Sequence, residues 1–417
     1  MNLLKTSFYT SISTAITFFS GFILVKVIAI KIGPEGISQL GQYQNTTALL
    51  VIASTLSISV GVTKYLAEFK DDIFKRQKII TTSIIAVIFS SLIISVLTVL
   101  FSRTLSLKSF YNLQYWQVYA LFGSLLCFTS LNVLFSSFLN GLKEIKKLTI
   151  VNITTSLVGL AFTVTLGIFF GLIGVLISAN FTAIIMFILN VYFLKKITEF
   201  QISANKKNFD FSILKLLLLY SSMSAITLVI IPINQLFIRD YIIQNQGFTK
   251  AGYWQAVTKI SDYYLLFITS VFSVYYLPVL SELSDRVKIK QEVWKGYKII
   301  LPFVAALAII IFFCKTIIIK ILFSKAFLPM KPLFLFQLIG DFLKIGSWLL
   351  GYLLAAKAMI KTIILLEILG SLTLILFTRF FLEKYGLIGA TYAFALNYSL
   401  YWITVILITR RYIFNIK

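Results

Sequence analysis

Lys259 and Asp262 stand three residues apart in a stretch otherwise fit for hydrocarbon, and Asp341 and Lys344 repeat that spacing in reverse order. Residues at i and i+3 share a helix face. Each pair is therefore either an intrahelical ion pair that fixes packing or part of a charged lining. The chemistry matters because an ionisable group at the centre of a membrane costs at least about 2.5–3.5 kcal/mol, so it faces a partner or a wet cavity. Lys26 and Arg239 lie near the ends of apolar runs. They either snorkel to headgroups or extend a basic lining. Partly dehydrated basic side chains attract anions, since Coulomb energies grow as the dielectric falls. Gln42, Gln44 and Asn45, with Thr46, Thr47 and the hydroxyl run Ser54, Thr55, Ser57 and Ser59, suit either hydrogen bonds to sugars or contacts between helices. Glu367 is a snorkelling acid or a proton or cation site. The chain has 0 histidines, which removes a His base, relay or metal ligand. Cys127 and Cys314 sit far apart in apolar runs and read as small buried hydrophobes. Neither a catalytic nor a metal site is expected.

What must position these residues is an array of membrane helices. Of 417 residues, 59% are hydrophobic and 13% charged, against roughly 25% charged in a soluble domain. A soluble enzyme, a disordered chain and a coiled coil are excluded. A helix needs about 20 apolar residues to cross the hydrocarbon core. Twelve stretches qualify, at about 8–30, 38–62, 79–101, 116–140, 148–170, 172–194, 213–238, 251–278, 299–319, 333–356, 362–382 and 385–409. The first is too long for the apolar segment of a cleaved leader. Pro232 in the seventh is placed to bend it.

The net charge of +23 sorts by loop. With the N-terminus inside, 24 Lys and Arg fall on the inner side, 10 on the outer and 4 within spans. By the positive-inside rule both termini are cytoplasmic, and the excess calls for no nucleic acid. The polar stretch Lys195–Ser212 divides the chain into an N-lobe (1–197, spans 1–6), a cytoplasmic linker (198–212) and a C-lobe (213–417, spans 7–12). Ala15-Ile16-Thr17 echoes Ala225-Ile226-Thr227, and Gly41-Gln42-Tyr43-Gln44 echoes Gly252-Tyr253-Trp254-Gln255, at offsets of 210 and 211. Two six-span halves of one orientation would share an axis along the membrane normal, with substrate bound between them. No nucleotide-hydrolysing motif occurs.

Several strings resemble those of a known family: Ile32-Gly33-Pro34-Glu35-Gly36, Gly61-Val62-Thr63-Lys64-Tyr65, Trp254 to Asp262, Phe272 to Pro278, Gly340-Asp341-Phe342-Leu343-Lys344 and Gly351 to Ala358. The set resembles the Wzx-type lipid-linked oligosaccharide flippases of the multidrug/oligosaccharidyl-lipid/polysaccharide exporter superfamily, a group that includes O-antigen translocases and the lipid III flippases of enterobacterial common antigen synthesis. The likeness runs over the whole chain and is strongest from 250 to 360. It implies an all-α polytopic membrane protein, with twelve transmembrane helices in two six-helix lobes around a central cationic cavity. It also implies alternating access without ATP, and places Lys26, Lys259, Asp262, Asp341 and Lys344 at family positions. Gln44 departs from the lipid III flippase pattern, which suggests a basic residue there.

The expected cargo is an undecaprenyl-diphosphate-linked oligosaccharide moved from the cytoplasmic to the periplasmic leaflet of a bacterial inner membrane. Lys26, Arg239, Lys259 and Lys344 are the diphosphate candidates. Asp262 and Asp341 are expected to pair with the lysines, Gln42, Gln44 and Asn45 to touch glycan, and Glu367 to couple transport to protons or sodium. No cofactor is expected. The expected neighbours are membrane lipid and, in the same membrane, a polysaccharide polymerase and chain-length regulator. An Ile-, Phe-, Lys- and Asn-rich composition inclines the cargo towards an O-antigen repeat unit of lipopolysaccharide. A cation-coupled multidrug exporter is the alternative, although its cationic substrates would favour acidic interiors. A membrane glycosyltransferase or polymerase would want larger extramembrane loops, and a non-transporting scaffold would not need polar spans.

Overall fold

In hydrocarbon every backbone N–H and C=O must find its partner inside the protein, which leaves helices and closed barrels as spanning structures. The computed structural model describes residues 3–197 and 209–413 and takes the first solution, with no strand among the described residues. The helices are α1 (Leu3–Lys31), α2 (Gly33–Ser54), α3 (Ser59–Glu68), α4 (Ile73–Leu100), α5 (Ser102–Phe110), α6 (Trp116–Gly141), α7 (Ile145–Lys195), α8 (Phe211–Val271), α9 (Leu277–Glu282), α10 (Arg286–Leu322), α11 (Phe334–Ala356), α12 (Ile360–Tyr385) and α13 (Ile388–Ile413). Short 3₁₀ turns precede α6 and α11, and a π-turn at Phe272–Tyr276 joins α8 to α9. Nine helices among the described residues are long and apolar enough to cross a membrane, or ten if the bent pair α2 and α3 is one span.

α7 and α8 are each two helices turned back at one glycine. Gly171 (φ 57°, ψ −136°) and Gly247 (φ 86°, ψ 166°) hold backbone conformations closed to residues with a Cβ. The arms of α7 then lie side by side. Thr163 and Ser178 share a hydrogen bond of 2.8 Å, and a Cβ on Gly174 would sit 2.0 Å from the Leu166 carbonyl oxygen. α12 and α13 turn back the same way at Gly386, which brings Gly389 against the Phe381 carbonyl. Pro232 lies inside α8, while the break in the helical backbone angles falls at Gly247.

The second expected span differs. It breaks after Ser54, and the two pieces bend by 48°. Leu56 and Ser57 take left-handed conformations at φ 51° and 56°, a cost of order 1–3 kcal/mol per residue. Local hydroxyls explain why the break is tolerated. Ser54 and Thr55 donate to the Val51 carbonyl at 3.0 and 2.8 Å, competing with the helical ladder. Ser90 of α4 donates to the Ser54 carbonyl at 2.5 Å, and the Ser54 and Ser130 hydroxyls meet at 2.7 Å. Ser54 thus ties α2 to α4 and α6, while Thr55 bonds back to α2.

By internal contacts the chain divides into two units, residues 1–32 with 39–232, and residues 33–38 with 233–417. In the first, Ile58, Val62, Leu134, Phe138 and Val151 form a core among α3, α6 and α7. Asp210 caps the start of α8, accepting from the backbone of Ser212, while Lys78 of α4 reaches its carboxylate at 3.1 Å. That ammonium holds the Asp210 carboxyl below the usual carboxylate range. Of the expected linker, residues 198–208 lie outside the described residues. In the second unit, Phe272, Tyr276, Val293, Leu349, Leu353 and Val405 knit α10, α11 and α13 around the π-turn.

The glycine contacts give a direct check. Gly174→Val places a side chain against backbone, and overpacking of this kind costs about 1–3 kcal/mol or more. A Cβ on Gly351 meets nothing within 4 Å. The expected outcome is that Gly174→Val lowers the thermal stability and yield of detergent-extracted protein, while Gly351→Ala matches the unmodified chain in the same melt.

Candidate functional site

The second unit gathers most of the ionisable groups that the sequence singles out. Past Gly247, α8 carries Gln255, Lys259 and Asp262 at i, i+4 and i+7, one stripe of the helix. α11 presents Asp341 and Lys344, α12 presents Glu367, and α13 presents Tyr398 and Tyr401.

Asp341 is fully buried. Its Oδ2 accepts from the Ser261 and Tyr264 hydroxyls, both at 2.6 Å, and its Oδ1 from the Gln337 amide at 3.3 Å. The structure therefore corrects the expected ion pair with Lys344. Hydroxyls from α8 take the carboxylate, and no ion pair within 4.0 Å forms at Asp341–Lys344 or Lys259–Asp262 among the described residues. The reason is partly local. Side chains at i and i+3 diverge by about 60° around the axis, and Lys344 follows a cluster of rings instead. Its ammonium lies 4.8 Å from the Trp348 ring centroid, 5.5 Å from Tyr398 and 5.8 Å from Phe394. Such cation–π contacts draw an ammonium to the ring faces. It remains within electrostatic influence of Asp262, Asp341 and Glu367. Glu367 accepts from the Tyr401 hydroxyl at 3.2 Å.

Lys259 is half-buried and Asp262 exposed. Lys259 makes no hydrogen bond or ion pair among the described residues. Arg239 is the largest fully buried side chain. It faces across the Gly247 hairpin, where Gln255 Oε1 accepts from its Nη2 at 2.5 Å and its Nε at 3.1 Å. Gln235 adds a contact at 3.4 Å, and the guanidinium lies 5.7 Å from the Trp254 ring. Neutral amides thus meet a buried cation and leave its field uncancelled by them. The second unit consequently holds Arg239, Lys259 and Lys344 against Asp262, Asp341 and Glu367, so both signs are present.

Lys26, Gln42, Gln44 and Asn45 belong to the first unit. Gln42 is buried, Lys26 and Asn45 are half-buried, and Gln44 is exposed. Beside Gln42, the buried Tyr43 packs on Tyr119 with centroids 5.4 Å apart.

Some participants are invisible to spacing arguments. Gln337 and Trp348 stand four residues from Asp341 and Lys344 and are recoverable from helical periodicity. Ser261, Tyr264 and Tyr398 reach the cluster from other helices and carry no local signal. Lys357 is a further case. Its ammonium donates to the carbonyls of Leu280, at 2.9 Å, and Leu283, closing the end of α9.

A family model described as polysaccharide biosynthesis protein matches residues 3–284. This chain belongs to that family. The lipid III flippases of Escherichia coli (strain K12) and Shigella flexneri are each 30% identical over 405 residues, covering 96% of this chain and 97% of theirs. Among solved structures, an inward-facing multidrug resistance MATE transporter of the MOP superfamily superposes with a TM-score of 0.77 at 14% identity over 94% of both chains. The lipid II flippase MurJ, in an inward closed conformation, gives 0.74 at 17% identity over 98% of this chain and 87% of its own. At such identities the structural likeness establishes the fold alone, an all-helical architecture shared with these two proteins.

Removing the Asp341 carboxylate strands the donors Ser261, Tyr264 and Gln337. An unsatisfied buried polar group costs about 1–3 kcal/mol. Asp341→Ala is expected to destabilise the extracted protein more than Asp341→Asn, which keeps an acceptor, as read by thermal melts in one detergent.

Proposed function

We propose that this polysaccharide biosynthesis family member is a flippase, carrying an undecaprenyl-diphosphate-linked oligosaccharide from the cytoplasmic to the periplasmic leaflet. The observation that supports this most is the match to the lipid III flippases over nearly the full length of both chains. The physics of the cargo agrees with the second unit. A glycan hydroxyl stripped of water costs about 1–3 kcal/mol, and a diphosphate far more. A polar path must replace hydration while the prenyl tail stays in lipid.

Lys259 and Lys344 are the proposed direct contacts of the diphosphate. Among the described residues Lys259 has no partner to give up, and Lys344 is held by rings that permit it to turn. Arg239, sealed behind Gln255, contributes field rather than contact in this conformation. Lys26 adds a cation in the first unit, and Gln42, Gln44 and Asn45 are assigned to glycan contacts. Asp262 and Asp341 limit the excess positive charge and so keep release fast. The transport cycle is alternating access by two six-helix lobes, twelve spans in all, within the bacterial inner membrane and with both termini cytoplasmic. A proton or sodium gradient drives it, with Glu367 and its Tyr401 donor as the coupling pair. The chain acts as a carrier rather than a catalyst. A polymerase and chain-length regulator would take up the delivered repeat units.

Expression in two bacterial strains, one lacking its O-antigen flippase and one its lipid III flippase, tests the proposal. Restored surface glycan in either supports it, and the pattern ranks the glycans. Lys259→Ala and Lys344→Ala are expected to abolish that rescue while inserting normally on a membrane blot. Normal glycan in both variants would remove them from the path. No rescue in either strain, together with efflux of cationic dyes, would favour the exporter reading.

A further inference from the structure

A pocket of about 310 Å³ opens on the flank of the second unit, away from the cluster described above. Phe237, Asp240, Tyr241 and Gln244 of α8 and Thr378 and Arg379 of α12 line it. Asp240 follows Arg239 directly, so the two side chains leave α8 in different directions. Arg239 goes to the interior and Asp240 to the flank.

The pocket holds one group of each sign. Arg379 is exposed, and its guanidinium stands 5.5 Å from the Tyr241 ring centroid. No carboxylate lies within ion-pair distance of it among the described residues. The nearby carboxylate of Glu383 accepts from the Tyr241 hydroxyl at 2.5 Å. Asp240 accepts from Gln244 at 2.8 Å, and a carboxylate has room for further donors.

Depth supplies the second observation. A Cβ on Gly386 would lie 3.9 Å from Gln246 Nε2, so the hairpin tips at Gly247 and Gly386 stand side by side. Asp240 and Arg379 each precede their tip by seven residues, about 10 Å along a helix. The headgroup layer on each side of the hydrocarbon core is about 5–8 Å thick. With the tips at the outer limit of that layer, the two charges sit at its lower boundary, within reach of headgroups by extension of the side chain. On the core side of the pocket, Phe237, Leu376 and Leu372 are exposed and apolar, a wall for acyl chains.

We propose that this pocket binds a zwitterionic phospholipid with a primary amine in its headgroup, the phosphate meeting Arg379 and the ammonium meeting Asp240. A quaternary amine has no N–H to donate to Asp240, and a glycerol headgroup has no cation, so both bind less well. Lipid held here braces the α8 hairpin against α12, the hairpin that carries Arg239.

Delipidated full-length protein in detergent, titrated with dioleoyl phosphatidylethanolamine, phosphatidylcholine or phosphatidylglycerol and read by native mass spectrometry, tests the assignment. The expected preference for phosphatidylethanolamine is about fivefold, the factor one favourable exposed ion pair supplies. Asp240→Asn should bring it down to the phosphatidylcholine level, Asp240→Glu should restore it, and Arg379→Gln should weaken all three lipids. Both side chains reach the open flank, and a melt of each variant shows whether it remains folded. Equal binding of the three lipids, or an unchanged ranking in folded Asp240→Asn and Arg379→Gln, would overturn the proposal. Water-soluble phosphoethanolamine should not compete at millimolar concentration. Competition would transfer the site to a soluble phosphorylated amine. The readout is independent of glycan transport.

Discussion

Hydrocarbon supplies no hydrogen bonds, and every place where a helix stops inside or near it must carry its own partners. Much of this chain's polar content answers that demand. Serines and threonines donate back to carbonyls one turn earlier, Ser90 covers the carbonyl left by the break after Ser54, and Lys357 covers those at the end of α9. The turns at Gly171, Gly247 and Gly386 reduce the demand by reversing direction at a single residue. What remains after these obligations is small: a few lysines and carboxyls in the second unit whose placement backbone satisfaction does not require.

Those residues are arranged so that opposite charges influence one another without closing on one another. Asp341 is satisfied by hydroxyls and an amide, and Lys344 by ring faces. A closed ion pair would need its full desolvation repaid before either partner could meet a substrate. Neutral donors and aromatic quadrupoles hold each charge in place at lower cost and leave Lys344 able to exchange partners. Arg239 likewise meets a neutral acceptor, the Gln255 amide oxygen.

The legibility of this arrangement in the sequence follows from range. Charges inside apolar runs stand out by type, so Lys259, Asp262, Asp341, Lys344 and Glu367 were recognisable without coordinates. The expected fifth and sixth spans meet at position 171, where the structure makes its reversal. Partner identity was not recognisable. Ser261 reaches Asp341 across 80 positions of chain, and nothing in either segment marks the other. The i, i+3 spacing pointed to pairing within a helix, while packing against α8 and α13 decided otherwise. The break at Leu56 and Ser57 was hidden because neither residue is a glycine or proline. It is set by hydroxyls on α2, α4 and α6 acting together.

The hairpin tips have one more consequence. A reversal completed at one glycine leaves no loop beyond the paired arms of the hairpin. An epitope tag inserted there would have to force apart helices whose backbones already touch, as Gly174 touches Leu166 and Gly389 touches Phe381.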